Sequence, residues 1–272
     1  MPTLQVSNAT VRYRHEEGPP ARRGLPVVLL HMAGGGGSVW GPVASLLGRH
    51  APVVAPDFPA HGQSGPVDLR TLALPPRRGV HPHLLGLAGW TLALLDALAL
   101  PRVILAGHSM GGMVALCAAL AAPQRVAGLG LVCTSGRMTL PASLRQLVAQ
   151  DLPALAAGLV GAAWPQGPLA NGASIGARAI FPQAPLAVVQ EDFDAVDGLD
   201  LLDVLGALAG LPTVVVTGEM DVLTPPSHGV ALAAALGAPA PLRVPDGGHL
   251  LPRQQPAVVA HALASLLVAL SG

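Results

Sequence analysis

The chain has 272 residues, of which 51% are hydrophobic and only 3% aromatic. Its 15 basic and 15 acidic residues give a formal net charge of zero. No polybasic block is present, which argues against a nucleic-acid or anionic-membrane partner. The most hydrophobic window, 84–106, contains Asp96 and is interrupted by Pro101, so no membrane span is expected. No secretory signal follows Met1, and a cytoplasmic protein is expected.

Short apolar runs alternate with helical stretches along the chain, a pattern typical of a mostly parallel sheet covered by helices. An N-terminal antiparallel hairpin is predicted from 4–6 and 10–14. The predicted strands that follow are 27–30, 53–55, 103–106, 126–132, 213–217 and 241–244. The predicted helices are 83–99, 110–122, 227–236 and 256–270.

Residues 136–209 break this alternation and are called the cap segment below. The segment is helical in composition, is interrupted by Pro and Gly, and contains no convincing strand. We predict that it forms a helical cap inserted into an α/β core made of 1–135 and 210–272. Because the cap segment is rich in Leu, Ala and Val, it is expected to give the site an apolar roof and to favour a partly apolar substrate.

The segment 107–111 reads Gly-His-Ser-Met-Gly and lies between the apolar run 103–106 and a predicted helix. Strand, sharp turn and helix form the context of a G-x-S-x-G nucleophile elbow. The two glycines let the backbone turn tightly enough to hold the serine in a strained conformation. We therefore expect Ser109 to present its hydroxyl as a nucleophile at the positive end of the following helix.

A serine nucleophile needs a neighbouring base and a carboxylate that orients that base. Asp221 follows the predicted strand 213–217, and His249 follows the predicted strand 241–244. The carboxyl ends of parallel strands meet at one edge of a sheet, where open α/β sheets bind ligands. We therefore expect Ser109, Asp221 and His249 to lie together. The alternative position for the acid, at 133–137, offers no carboxylate.

A glycine-rich loop, His-Met-Ala-Gly-Gly-Gly-Gly-Ser at 31–38, follows the predicted strand 27–30. Such a loop can aim a backbone N–H at the negative charge that develops on a carbonyl oxygen under attack. A second N–H is expected from Met110, the residue after the nucleophile. Each well-placed donor stabilises the transition state by about 3–4 kcal/mol.

Together these motifs resemble those of the α/β-hydrolase superfamily over nearly the whole chain outside the cap segment. The matching stretches are the elbow 107–112, the acid loop 217–226, the histidine loop 248–251 and the turn 56–64, which is similar to the family's Pro-Asp-x-x-Gly-x-Gly-x-Ser. Thr-Pro-Pro after the acid makes the chain most similar to small serine carboxylesterases and enol-lactone hydrolases. The resemblance implies a central, mostly parallel sheet flanked by helices and a Ser-His-Asp hydrolase.

Two departures from the family pattern bear on the site. Family members usually carry His-Gly where this chain has His31-Met32; the donor of the glycine-rich loop is expected to be Ala33, with Met32 as the alternative. The turn that begins at Asp57 usually carries an arginine, which Phe58 and its neighbours replace here. A substrate carboxylate would lose a cationic partner, which favours a neutral ester or lactone.

The sequence thus predicts a cofactor-free hydrolase that cleaves a carboxylic ester or lactone of a small molecule. The expected lining of its substrate pocket is His31, Gly34, His108, Leu223 and Leu250. His31 is also expected to brace its loop by hydrogen bonds, as is His61, and His108 to act mainly in packing. The alternatives are a carbon–carbon lyase or hydrolase reaction with the same fold and triad, acyl transfer, or a small-molecule receptor with weak turnover.

Other kinds of site are disfavoured by spacing. A dinucleotide site would need a third glycine where the glycine-rich loop places Trp40 or Val39, and a bulky residue there prevents close helix–strand packing. No histidine or cysteine group has zinc-ligand spacing. An acidic run in the cap segment is expected to be a solvated helix face rather than a calcium loop; it comprises Glu191, Asp192, Asp194, Asp197, Asp200 and Asp203.

Overall fold

The computed structural model describes residues 1–19, 24–150 and 184–271. These residues contain one eight-stranded sheet with the order β1-β2-β4-β3-β5-β6-β7-β8. Strands β1 and β2 pair antiparallel and β2 runs antiparallel to β4, whereas the pairs from β4 to β8 are parallel. The predicted α/β-hydrolase fold, a mostly parallel sheet flanked by helices, is confirmed.

The strands match the apolar runs of the sequence to within about two residues at most ends. They are β1 Thr3–Val6, β2 Ala9–Glu16, β3 Val27–Leu30, β4 Val53–Pro56, β5 Val103–His108, β6 Val126–Val132, β7 Thr213–Gly218 and β8 Leu242–Val244. Every residue of β3, β4, β5 and β6 is buried, as expected for strands of a parallel sheet that is covered on both faces.

Eight α-helices lie in the described part of the chain. They are α1 Gly41–Leu47, α2 Pro82–Ala97, α3 Met110–Ala121, α4 Ala142–Gln150, α5 Leu186–Val196, α6 Pro226–Leu236, α7 Leu251–Gln254 and α8 Pro256–Ala269. Helices α1 and α7 are short and were not predicted, because four to seven residues are too few for a readable helical period.

Alternating side chains of the strands supply two separate apolar cores. Val103 and Leu105 of β5 pack among residues of α2, α3 and the cap segment. Ile104 and Ala106 of the same strand point to the other face, where α1 and α8 pack. This period of two fixes which residues can reach each layer.

The described part of the cap segment lies between β6 and β7 and contains helices α4 and α5 and a 3₁₀ helix, Leu202–Leu208. Its described residues include no named strand and one isolated bridge, between Arg137 and Asp200. Helix α5 contacts α2, α3 and α4, so this element of the cap segment rests directly on the core. Residues 151–183 of the predicted cap lie outside the described residues, and the division into core and cap stays a prediction.

No helix of the described residues is long and apolar enough to cross a membrane.

Candidate active site

Ser109 occupies a strained turn between β5 and α3, with φ +54° and ψ −121°. A Cβ at Gly107 would lie 2.2 Å from the backbone of Gly111, and a Cβ at Gly111 would lie 2.2 Å from the carbonyl oxygen of Leu30. Only glycine therefore fits at either position. The Ser109 N–H donates to Val132 O over 3.0 Å, so the strained residue is held by the neighbouring strand.

Asp221 and His249 form a buried hydrogen-bonded pair at the same edge of the sheet. The Nδ1 atom of His249 lies 2.9 Å from Asp221 Oδ2 and 3.2 Å from Oδ1. Asp221 follows the end of β7 and His249 follows the end of β8. The side chain of Asp221 is fully buried, and that of His249 keeps a small exposed fraction. This contact fixes Nδ1 of the imidazole against the carboxylate.

The Asp221 carboxylate has a full set of further donors. Its Oδ1 accepts from the backbone N–H groups of Leu223 and Thr224, each over 2.9 Å, and its Oδ2 accepts from the Thr224 hydroxyl over 2.6 Å. Burial acts to raise its pKa, but the charge of His249 and these hydrogen bonds outweigh burial and hold the pKa at about 2. Asp221 is therefore ionised throughout the neutral range.

Ser109 and His249 both line one cavity, which contains about 560 Å³ of empty space including its open mouth. The rest of its described wall is apolar, and the cap segment contributes Met138, Leu140, Leu144, Phe193 and Val196. No hydrogen bond joins the Ser109 hydroxyl to His249 within the described part of the chain. Catalytic hydrogen bonds of ligand-free sites often tighten only when substrate binds.

The glycine-rich loop borders this cavity through Met32 and Ala33. A turn closes from Gly35 N–H to Met32 O over 3.1 Å, and Gly34 within it has φ +62°. The N–H of Ala33 does not take part in this turn. It donates to no other backbone group among the described loops and turns, so it is free to bind an oxyanion. Met110, directly after Ser109, begins α3, where the first N–H groups have no partner within the helix.

Of the five residues expected in the pocket, Leu223 and Leu250 line the cavity. His31 does not, because its Nδ1–H donates to Met32 O (2.8 Å) and its Nε2 accepts from Phe58 N–H (2.9 Å). Gly34 does not either, and its N–H is directed to the cap segment. The hydrogen bonds of His31 brace its loop, and a place in the substrate pocket for His31, Gly34 and His108 stays a prediction.

His108 lies behind the elbow rather than in the cavity. Its Nε2–H donates to the backbone oxygen of His249 over 2.7 Å, and its ring contacts those of His249 and Trp40. Burial, with the neighbouring His249, lowers the pKa of His108 to about 3. His108 is therefore neutral, and its hydrogen bond holds the loop that carries His249.

Contrary to the expectation from the sequence, Asp192 does not lie on a solvated helix face, because its side chain is fully buried. It contacts His61, His83 and the backbone of Gly34. The sequence contains a signal for this: Asp192, Phe193 and Val196 lie three, four and seven residues after Val189, a helical spacing that places Asp192 on the apolar face of α5.

Comparison with known proteins identifies the family of this chain. The profile of the alpha/beta hydrolase family matches residues 27–262. The enol-lactonase of Burkholderia xenovorans LB400 superposes with a TM-score of 0.80 over 98% of this chain and 100% of that one, at 21% identity. Identity at that level supports the fold alone.

Two curated relatives match shorter stretches. The dihydrolipoyllysine-residue acetyltransferase component of the acetoin cleaving system of Pseudomonas putida is 42% identical over 113 residues, which are 42% of this chain and 28% of that protein. A 2-hydroxy-6-oxo-2,4-heptadienoate hydrolase of Pseudomonas putida is 36% identical over 116 residues, or 42% and 38% of the two chains. The matches thus span less than half of these relatives.

Proposed function

Since the chain belongs to the alpha/beta hydrolase family, we propose that it hydrolyses a carboxylic ester or lactone of a small, neutral, partly apolar molecule through Ser109, His249 and Asp221. One observation carries the proposal. The strained Ser109 and the Asp221-bound His249 face the same apolar cavity. A nucleophile, a base and an orienting carboxylate are the groups that acyl transfer to water requires.

In the proposed mechanism, the hydroxyl of Ser109 attacks the substrate carbonyl carbon while Nε2 of His249 takes the hydroxyl proton. Asp221 holds His249 in the tautomer that leaves Nε2 free, and its negative charge stabilises the imidazolium that forms. The N–H groups of Met110 and Ala33 stabilise the tetrahedral oxyanion, and Met32 is the alternative second donor. His249 then protonates the leaving alkoxide, which departs as an alcohol, or as the free hydroxyl end of an opened lactone.

Deacylation repeats the same steps with water as the nucleophile. His249 removes a proton from the water as its oxygen attacks the acyl-enzyme, and it returns that proton to Ser109 as the acid product leaves. No redox step or additional reactant is needed, since the bond broken is the acyl–oxygen bond and water supplies the new one.

A neutral substrate is favoured by the composition of the cavity wall. Apart from His249, the described lining carries no ionisable side chain, and three of its members are the thioethers Met32, Met113 and Met138. A carboxylate bound there would be desolvated without a cationic partner, at a large free-energy cost. Flexible Met side chains accommodate apolar groups of varied shape.

The test is hydrolysis of p-nitrophenyl esters from acetyl to decanoyl by wild type and Ser109→Ala. We expect serine-dependent turnover with an optimum along the series, and a loss in Ser109→Ala on the order of 10⁴ or more with the fold intact. Near-wild-type turnover in the folded variant would overturn the assignment of the nucleophile.

The relatives make a carbon–carbon hydrolase the second candidate. A 2-hydroxy-6-oxo-dienoate contains a ketone and a carboxylate but no ester, so its hydrolysis breaks a carbon–carbon bond, and one relative is named for such a substrate. This candidate would be favoured over the ester hydrolase if the folded protein consumed a 2-hydroxy-6-oxo-dienoate in a Ser109-dependent reaction and hydrolysed no ester. The apolar cavity wall argues against it, because the dienoate is an anion.

A further inference from the structure

A second buried carboxylate joins the cap segment to the core. Asp192 lies on α5, yet its carboxylate accepts hydrogen bonds from three core groups: Gly34 N–H at 2.7 Å, His61 Nε2 at 2.8 Å and His83 Nε2 at 2.9 Å. We call these four groups the Asp192 cluster. The side chains of Asp192 and His61 are fully buried. Asp192 and Gly34 are 158 residues apart in the sequence. The cluster therefore forms only when helix α5 packs against the core.

Hydrogen bonding fixes the charge state of His61. Its Nδ1 lies 2.9 Å from Pro59 O, which can only accept, and its Nε2 lies 2.8 Å from the Asp192 carboxylate. Both ring nitrogens therefore donate, and His61 is an imidazolium paired with an ionised Asp192. Burial opposes this state, but the Asp192 charge raises the pKa of His61, and His61 in turn lowers the pKa of Asp192. The donor atoms touch the carboxylate directly, which leaves no space for a metal ion between them.

The Gly34 contact reaches the loop that holds the proposed oxyanion donor. Gly34 and Ala33 are the two central residues of the Met32–Gly35 turn, and Ala33 borders the cavity. Because Asp192 Oδ2 takes the Gly34 N–H, it fixes the plane of the peptide that joins Ala33 to Gly34. A hydrogen bond to an ionised acceptor is about twice as strong as a neutral one. The orientation of the turn thus depends on a carboxylate supplied by the cap segment.

The same helix also forms part of the substrate cavity. Phe193 and Val196 line it, and Phe193 directly follows Asp192 in the chain. The position of the cavity wall and the position of the glycine-rich loop are therefore coupled through one rigid element.

We propose that Asp192 is a positioning residue that orients the Ala33 N–H for the oxyanion by holding Gly34, and that it couples docking of helix α5 to assembly of the oxyanion hole. This inference rests on the proposed function, because it assumes acyl transfer at Ser109. It assigns to Asp192 no contact with the substrate and no proton transfer.

The first experiment compares Asp192→Asn with Asp194→Asn, a matched change at an exposed position of the same helix. Asparagine keeps the shape of Asp192 but removes the charge. We expect kcat of Asp192→Asn on the best p-nitrophenyl ester to fall by about 10- to 100-fold, with KM within about twofold, and Asp194→Asn to match wild type. A wild-type kcat in folded Asp192→Asn, or a change confined to KM, would overturn the inference.

A readout specific to the oxyanion hole separates positioning from general destabilisation. An alkylboronic acid forms a tetrahedral, negatively charged adduct with a nucleophilic serine and therefore uses the oxyanion donors. Its affinity for Asp192→Asn is expected to fall by the same factor as kcat, at a temperature well below the unfolding midpoint. Loss of kcat with unchanged boronate affinity would contradict positioning.

A second variant keeps the test decisive if Asp192→Asn does not fold. His83→Gln weakens the Oδ1 side of the cluster, together with the 3.2 Å contact between His83 Nδ1 and Glu191 Oε1, and leaves Asp192 with His61 and Gly34. The rate at which a fluorophosphonate labels Ser109 is expected to fall by about 3- to 10-fold, and an unchanged rate would overturn the inference. Failure of the proposed function would give a different result from failure of this inference. If the proposed function is wrong, Ser109→Ala keeps its turnover. If only this inference is wrong, turnover still depends on Ser109.

Discussion

Two buried aspartate–histidine pairs in the described part of the chain have nearly the same contact distance but different surroundings. Asp221 and His249 meet at 2.9 Å, and Asp192 and His61 meet at 2.8 Å. Each pair also has a second histidine ring at a centroid distance of 5.0 Å, His108 beside His249 and His31 beside His61. Residue identity and distance alone would not tell the two pairs apart.

What separates them is the second nitrogen of the paired histidine. His61 donates its second N–H to Pro59 O and has no exposed side-chain surface. The Nε2 atom of His249 has no partner among the described residues, and its ring borders the cavity. A base must offer a lone pair to the proton that it removes, which His249 does and the doubly donating His61 does not. The first pair is suited to proton transfer and the second to holding structure.

The largest expected difference between the pairs is catalytic. In Asp221→Asn the amide no longer selects the tautomer of His249 that leaves Nε2 free, and kcat is expected to fall by about 10⁴-fold. For Asp192→Asn, which only shifts the glycine-rich loop, kcat is expected to fall by no more than about 100-fold. Both are measured as kcat on one ester, with circular dichroism to verify folding. Equal losses in the two variants would remove the functional distinction between the pairs.

The two neighbouring histidines predict how stability depends on pH. Burial, followed by the neighbouring paired histidine, lowers the pKa of both His31 and His108 to about 3. Between their unfolded pKa near 6.5 and about pH 3, the unfolded chain binds protons that the folded chain does not. The free energy of unfolding therefore falls as pH falls through this range, by up to about 1.4 kcal/mol per pH unit for each residue. Urea unfolding at pH 7.5, 5.5 and 4.5 measures the slope.

A non-titrating replacement assigns that slope to its source. His108→Gln is expected to flatten the dependence between pH 6.5 and 4.5 by about half, since one of two titrating groups is removed. An unchanged slope would show that His108 is protonated in the folded protein, contrary to the lowering of its pKa by burial.

The sequence predicted the sheet and the residues at its edge because both depend on local patterns. Apolar runs identified the strands, and Ser109, Asp221 and His249 each lie shortly after the end of one of them. The Asp192 cluster depends instead on contacts between segments separated by 109 to 158 residues, which no local pattern contains. The sequence likewise did not identify Phe58 as a hydrogen-bond partner of His31, because the two residues lie on different loops.

The smallest expected effect concerns the hydroxyl of Thr224, which donates to Asp221 Oδ2 over 2.6 Å. Thr224→Val removes this donor at nearly constant volume and is expected to lower the free energy of unfolding by about 1 kcal/mol. Because this bond also stabilises the ionised Asp221, kcat is expected to fall by about fivefold. The pKa of Asp221 is expected to rise, because one of the causes that lower it is gone, while the contacts with His249 and the backbone keep the carboxylate ionised in the neutral range.

Thr91→Val is the matched control for this change. Thr91 is fully buried in α2, and its hydroxyl donates only to Leu87 O over 2.8 Å. We expect a similar loss of stability with kcat and its pH profile unchanged, since no group of the cavity is touched. The effect of Thr224→Val on kcat stays small because two backbone N–H groups still hold Asp221 Oδ1. A loss as large as that of Asp221→Asn would mean that the threonine hydroxyl, rather than the backbone, keeps the carboxylate aligned with His249.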